Sequence, residues 1–424
     1  MTRRESGFPK DRMYLKFRLY GFLKNLRFFD PFLILFFREV GLSFLEIGAL
    51  FSIREIATTL LEVPTGILAD TYGRRRAMLA AFSAYLAAFA VFYLVPRFWA
   101  LALAMVLFAF GETFRSGTHK AMILDHLRLR GVEDRRVAYY GRTRAASQLG
   151  SAVAALIAGG LVFYTGSYRI VFLASIVPYV GGLLLLASYP RELDGDLAPI
   201  EGSAVRAAAR RLRDTVAALG RLFRNPLLLR GLLNSAGFDA AFKSTKDYLQ
   251  PIVQAQALAL PILLAFGSEQ RTALLIGIVY FLIHVGASWA SARAGWASSR
   301  SGSPARAANA AAIAGLGLLA AAGLASMGGV PGVAIGGFIA VFMIQNLRRP
   351  LAIGTIAELV SHRMMATGLS IEVQIRTLIM AGLAPMLGWL ADRFGVGAAV
   401  LAVSAAMMVM LILVPLRSPT SGEA

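Results

Sequence analysis

Twelve stretches of roughly 20 predominantly apolar residues follow one another along nearly the whole of this chain. They fall at 19–38, 43–65, 77–96, 98–124, 138–163, 168–189, 227–250, 272–294, 305–326, 330–349, 364–391 and 396–416. One such stretch, wound as a helix, crosses a hydrocarbon core of about 30 Å. A chain that is 57% hydrophobic and 16% charged, with mean hydropathy +0.63, is too apolar for a soluble protein of 424 residues. The apolar period is helical, and no alternation of about ten residues marks barrel strands. These features predict an all-α membrane protein with twelve transmembrane helices.

The formal net charge of +19 raises the question of nucleic acid. Its distribution answers it. Cations crowd the N-terminus (Arg3, Arg4, Lys10, Arg12, Lys16), the 66–76 turn, the 126–136 loop and the 191–230 segment, then recur at Arg293, Arg300, Arg306, Arg348, Arg349 and Arg417. These are alternate connections. The opposite set carries mainly Arg38, Arg97, Arg169, Arg271 and Arg393. The positive-inside rule therefore places both termini and the long middle loop in the cytoplasm, and no nucleic-acid partner is expected. The first 18 residues are polar and basic, without the apolar core of a cleavable signal, so the first span is expected to direct insertion into a plasma (inner) membrane. Cysteine is absent, which excludes disulfides and thiolate metal sites.

Six spans, a polar segment and six more spans divide the chain into residues 1–190, a cytoplasmic linker at 191–226, and residues 227–424. The halves look related: Gly159, Gly160 and Gly166 precede the sixth span much as Gly388, Asp392, Arg393 and Gly395 precede the twelfth, about 229 residues later. Two such repeats enclose a cavity near the membrane midplane. Within the linker, Val205, Ala209, Leu212, Val216, Leu219 and Phe223 recur at helical spacing opposite several arginines. That pattern fits an amphipathic helix on the cytoplasmic leaflet, and equally a solvated helical linker.

Between the second and third spans, Gly66, Asp70, Gly73, Arg74, Arg75 and Arg76 form a short basic turn carrying one carboxylate. The turn resembles the signature loop of the major facilitator superfamily, departing from it only at Thr71, where a basic residue is usual. The resemblance implies a secondary transporter whose halves rock about a central cavity. It also implies that Asp70, with Arg74 and Arg75, latches the cytoplasmic side while the outside is open. Gly66 and Gly73 would permit close helix approach and a tight turn. The corresponding loop of the second half, from Arg293 to Arg300, has lost the carboxylate, so no equal latch is expected there.

Ionisable residues inside the spans are costly unless they pair or face water. Span 1 holds Arg27 and Asp30, span 2 Arg54, Glu55 and Glu62, and span 4 Glu112, Arg115 and His119. Span 7 holds Asp239 and Lys243, and span 11 Glu372 and Arg376. Lys24, Lys120, Lys246 and Asp247 lie near enough to span ends to snorkel to the interface. Three readings of the rest stay open. They are structural ion pairs; or Arg27, Arg54, Arg115 and Arg376 converge on an anionic or zwitterionic solute, to which guanidinium forks are suited; or Asp30, Glu62 and Glu112 carry protons, a role open to carboxylates in dry sites. Glu62 is the sharpest of the three, having no cation on its own helical face. His119 reads as a hydrogen-bonded structural residue.

No P-loop and no cluster of metal-ligating residues is present in the sequence, so neither an enzyme nor a cofactor is expected. The partners expected are a small solute, the bilayer and protons, with the chain acting as a monomer. A proton-driven efflux antiporter of drugs or metabolites is the alternative, although such members of the superfamily carry Gly-Pro where this chain has Ala154 and Ala155. A non-transporting receptor or sensor with the same fold is more remote.

Overall fold

A computed structural model describes residues 11–417 except 116, 133–135, 196–212, 214–225, 262, 292, 294–298, 301 and 360–364. The amphipathic segment expected at 203–224 lies outside the described residues but for Arg213, as does most of the loop from 293 to 300. Among the described residues there are fifteen α-helices and no strand. The first eight are α1 (Arg12–Leu23), α2 (Leu33–Glu39), α3 (Phe44–Tyr72), α4 (Arg74–Leu94), α5 (Phe98–Arg115), α6 (Thr118–Leu129), α7 (Arg136–Thr165) and α8 (Ile170–Ala187). After the linker come α9 (Pro226–Thr245), α10 (Leu249–Ala259), α11 (Ser268–Ser291), α12 (Pro304–Met327), α13 (Pro331–Leu359), α14 (Met365–Phe394) and α15 (Val396–Leu413).

Local chemistry sets several boundaries. Ser43 opens α3 with a capping box: its hydroxyl accepts from the Glu46 amide at 3.1 Å while the Glu46 carboxylate accepts from the Ser43 amide at 2.8 Å. Gly73 ends α3 and starts α4 at φ +99°, a conformation that glycine adopts without strain. Pro304 begins α12 behind a Ser303 cap.

Among the described residues, nine helical segments are long and apolar enough to cross a membrane by length and composition. Three of the expected stretches depart from that pattern, for physical reasons. The stretch at 19–38 is split, since α1 ends at Leu23 and helix resumes only with a 3-10 turn over Asp30–Phe32. Pro31 has no N–H to continue an α-helical ladder, and the Asn25 side-chain amide donates to the Gly21 carbonyl at 3.0 Å to finish the preceding helix. The stretch at 227–250 is likewise interrupted by a 3-10 turn over Lys246–Tyr248. The stretch at 43–65 is a continuous helix, but it carries Arg54, Glu55 and Glu62.

Leu60, Trp99, Val177 and Leu413 are each about 70–80% exposed on the outside of the bundle, at 69%, 79%, 74% and 71%. Such a surface is unfavourable in water and natural in lipid. Inside, Phe29, Phe89, Phe92, Phe108 and Phe172 interlock with Tyr85 and Tyr179 in edge-on and stacked pairs.

The bundle is closed at one end. There α3 runs antiparallel to α14, so close that a methyl group on Gly48 would lie 2.8 Å from the Ala384 carbonyl carbon and from Pro385 Cα. The Ser52 hydroxyl donates to the Ala381 carbonyl at 2.7 Å. Asp392 of α14 accepts from the Phe44 and Leu45 amides, both at 2.8 Å. On the far side of the same end α7 packs on α11, where the Gln270 side chain donates to the Phe163 carbonyl at 2.8 Å. Among the described residues, the hydrogen bonds joining residues 11–195 to residues 226–417 lie at or near this end. The end that carries the 66–76 turn has none of them.

Candidate functional site

The 66–76 turn folds onto its own neighbourhood. Arg74 pairs with Asp125 of α6. The Arg75 guanidinium donates to the Ala187 carbonyl at 2.9 Å, and its amide donates to Asp194 at 2.8 Å. A methyl group on Gly73 would come within 2.7 Å of that same Asp194 carboxylate. Asp70 is exposed. A methyl group on Gly66 would meet nothing within 4 Å, although Thr65, Ile67 and Ala69 on the other faces of α3 are buried. Arg74 and Arg75 of the turn are therefore held by groups within residues 125–194.

Inside the bundle lies a cavity of about 420 Å³. It brings together six of the seven intramembrane residues singled out from the sequence: Arg27, Asp30, Arg54, Glu62, Glu112 and Arg376. Glu55, Lys243 and Lys246 also line it, with Phe29, Phe108 and Met380 supplying apolar wall. The two interrupted stretches explain how charged groups reach this depth. Asp30 belongs to the 3-10 turn that follows the first break, and Lys246 to the 3-10 turn that forms the second. Lys246 is therefore a cavity residue paired with Asp247 at 2.6 Å, not a span-end residue that snorkels. Lys24, at the end of α1, and Lys120, near the start of α6, line a neighbouring cavity.

Some of these charges are already committed to one another. The Glu112 carboxylate is the hub of a cluster. It pairs with Arg27, accepts from Arg115 at 2.5 Å, and accepts from the Tyr85 hydroxyl at 2.7 Å. Arg115 Nε donates to the same Tyr85 oxygen at 3.1 Å. With so many donors on it, Glu112 serves as the anchor that aims two guanidinium groups, Arg27 into the 420 Å³ cavity and Arg115 into the adjacent one. Arg54 is paired with its neighbour Glu55 at 2.9 Å. Arg376 lies 3.9 Å from Asp239, which also accepts from the Gln345 amide at 2.7 Å. Asp30 and Glu62 differ: among the described residues neither carboxylate makes an ion pair or a hydrogen bond.

Arg348, expected in a cytoplasmic loop, is instead in the interior of α13 and fully buried. It donates to the Asn234 side chain at 2.7 Å and to the Ala308 carbonyl at 3.2 Å, and lies over the Phe238 ring at 4.5 Å. Only Arg349 next to it is exposed. His119 is stacked on Tyr20 at 3.7 Å with Nε2 3.4 Å from the Tyr189 hydroxyl.

Lys243, Lys246 and Asp239 were the residues of the cavity region that sequence reasoning undervalued. A signal was available: they are spaced four and three apart, and so share one face of the seventh stretch.

Long apolar helices around a charged cavity make this an integral, multi-pass membrane protein. The chain belongs to the Major Facilitator Superfamily, whose family model matches residues 25–373, and it is a membrane transporter. Over 90 residues it is 31% identical to an uncharacterized MFS-type transporter, YxaM, of Bacillus subtilis (strain 168). That alignment covers 21% of this chain and 23% of the relative's length. Among solved structures, the nucleoside transporter NupG superposes with a TM-score of 0.76 at 13% identity, covering 95% of this chain and 98% of that one. A POT family transporter in complex with a thioalcohol-conjugated peptide gives a TM-score of 0.70 at 14% identity, with 95% of each chain covered. At these identities the likeness is one of fold.

Proposed function

We propose that the protein is a secondary active transporter of a small polar solute bearing a carboxylate or phosphate, driven by protons and working by alternating access. In this reading α1 with α2, α5 with α6, and α9 with α10 each form one interrupted span, giving twelve spans in two six-helix halves, residues 1–190 and 227–424, joined by 191–226. Both termini are cytoplasmic, and the cavity opens to the cytoplasm on the side of the 66–76 turn.

One observation carries the reading: cations from both halves, Arg27 and Arg54 on one side and Lys243 and Arg376 on the other, line a single cavity. Guanidinium groups on two rigid bodies can grip one anionic group and be drawn together around it. Glu62 and Asp30 supply the proton-binding function, since they line the same cavity without a cation bonded to them. Glu112, already satisfied by two arginines and a tyrosine, acts as a positioning residue instead.

The test is transport by purified protein in proteoliposomes, with a panel of small carboxylates, phosphates and zwitterions offered with and without a proton gradient. Arg54→Gln and Arg376→Gln should each lower uptake at least tenfold, consistent with loss of about 1.5–3 kcal/mol per charge-assisted contact. Glu62→Gln should leave exchange across the membrane intact and abolish its response to the gradient. Uptake confined to hydrophobic cations would instead select the efflux-antiporter alternative.

A further inference from the structure

Next to the mixed-charge cavity lies a second one, of about 520 Å³, with a different electrostatic character. Lys24, Arg115, Lys120, Arg144 and Arg349 line it, and no carboxylate does among the described residues. The contrast with its neighbour is sharp, because four carboxylates (Asp30, Glu55, Glu62 and Glu112) face the five cations of the first cavity. The Glu112–Arg115 pair forms part of the wall between the two, with the carboxylate on one side and the guanidinium on the other.

The cations reach the second cavity from several elements. Lys24 caps the end of α1, Arg115 ends α5, Lys120 is on α6, Arg144 on α7 and Arg349 on α13. Gly117, at the N-cap of α6, also lines it, so the positive end of that helix dipole adds to the field. Arg115 is compensated by Glu112. Arg144 and Arg349 are exposed and make no ion pair among the described residues. A cavity of this volume is roughly 10 Å across, comparable to the screening length of ~8 Å at physiological ionic strength, so salt removes only part of the mutual repulsion. Such an arrangement is stabilised by an anion placed among the cations, and guanidinium forks favour a planar or tetrahedral oxyanion. Thr143, Ser147 and Gln148 add hydrogen-bonding groups on the α7 side.

We propose that this basic cavity is a binding site for a multiply charged oxyanion, a phosphate or polycarboxylate group, held between α6 and α7 on one side and Arg349 of α13 on the other. It is distinct from the mixed-charge cavity and requires nothing of the solute carried there. An anion seated in it would bridge helices that the closed end leaves apart.

The experiment is titration of the full-length protein in detergent with inorganic pyrophosphate and, separately, citrate, read by calorimetry and by thermal unfolding, with sodium chloride at matched ionic strength as the control. Pyrophosphate, citrate or both should bind and raise the unfolding temperature beyond the chloride control, and which of them binds assigns the phosphate or the carboxylate class. The Arg144→Gln/Arg349→Gln double variant should lose at least about tenfold in affinity, whereas Arg349→Lys alone should keep most of it. The Arg54→Gln/Arg376→Gln variant should bind within about twofold of the parent, which separates this site from the proposed solute cavity. Both arginines are exposed, so their neutralisation strands no buried charge and the variants should fold. The site is wrong if the double variant binds as the parent does, if the mixed-cavity variant loses binding equally, or if neither anion exceeds chloride.

Discussion

Asp392 reaches across the closed end of the bundle to accept the Phe44 amide at 2.8 Å, and its second oxygen accepts from Leu45 at the same distance. A carboxylate at the end of α14 thus satisfies two of the amides left open at the start of α3, where the helix dipole also favours negative charge. Cap interactions of this kind contribute about 1 kcal/mol, and charged acceptors somewhat more. Asp392→Ala should therefore speed hydrogen exchange at the amides of residues 44–47 by about five- to tenfold without changing exchange in α12. Unaltered protection at those amides would mean that Asp392 does not hold this end shut.

Gly48 sets how closely α3 and α14 approach. Its position leaves no room for a Cβ against the Ala384 and Pro385 backbone, which cannot swing aside as a side chain could. Gly48→Val should separate the helices and move the population away from the conformer described, toward one in which this end is open. Spin labels on cysteines introduced at Leu45 and Trp389, both partly exposed, offer a direct readout in a chain with no native cysteine. A distance distribution identical to that of the parent would refute the close-packing account.

Glu112 should matter more for stability than for proton movement. Glu112→Gln leaves Arg27 and Arg115 facing each other without a counter-charge, at a cost on the order of 3 kcal/mol. Thermal unfolding should show a large loss, and the Glu112→Gln/Arg115→Gln double variant should recover part of it. If the double variant is as destabilised as the sum of the two single changes, the coupling described here is absent.

Gly73 joins α3 to α4 in a backbone conformation that side chains resist. Gly73→Ala should cost about 1–2 kcal/mol from strain, plus the clash with Asp194. Adding Asp194→Ala should relieve the clash and leave the strain, so the two contributions separate in a melting series. Equal stability of all three proteins would contradict the geometry at this turn.

The helical class, the membrane environment and the superfamily were legible in the sequence because apolar runs and a short signature turn carry them directly. So were the principal cavity residues. Arg27, Asp30, Arg54, Glu62, Glu112 and Arg376 are conspicuous as charges in apolar surroundings, and burial cost alone forces them to a shared cavity or to each other. What could not be read was which of them meet. Arg27 and Glu112 are 85 residues apart and Arg376 and Asp239 are 137 apart, and no local spacing links such partners. Lys246 was misplaced because an apolar run gives no sign of where its helix will break, and the break is what carries the lysine to the cavity. Arg348 was misplaced for the converse reason. An arginine pair looks like a loop, yet α13 continues through it and the Asn234 side chain and Ala308 carbonyl take up its donors.

Gln250 is fully buried at the start of α10, and its amide does two things at once. The oxygen accepts from the Ile34 N–H at 2.8 Å, and the nitrogen donates to the Asp30 carbonyl at 2.9 Å. One side chain thereby stitches together the two places where long helices are interrupted. A rotation of one group of helices against the other that keeps both bonds must turn about a line passing close to residues 30–34 and 250, as a door turns on its pin. Points near that line barely move, while residues far from it, such as those of the 66–76 turn, sweep the longest arcs.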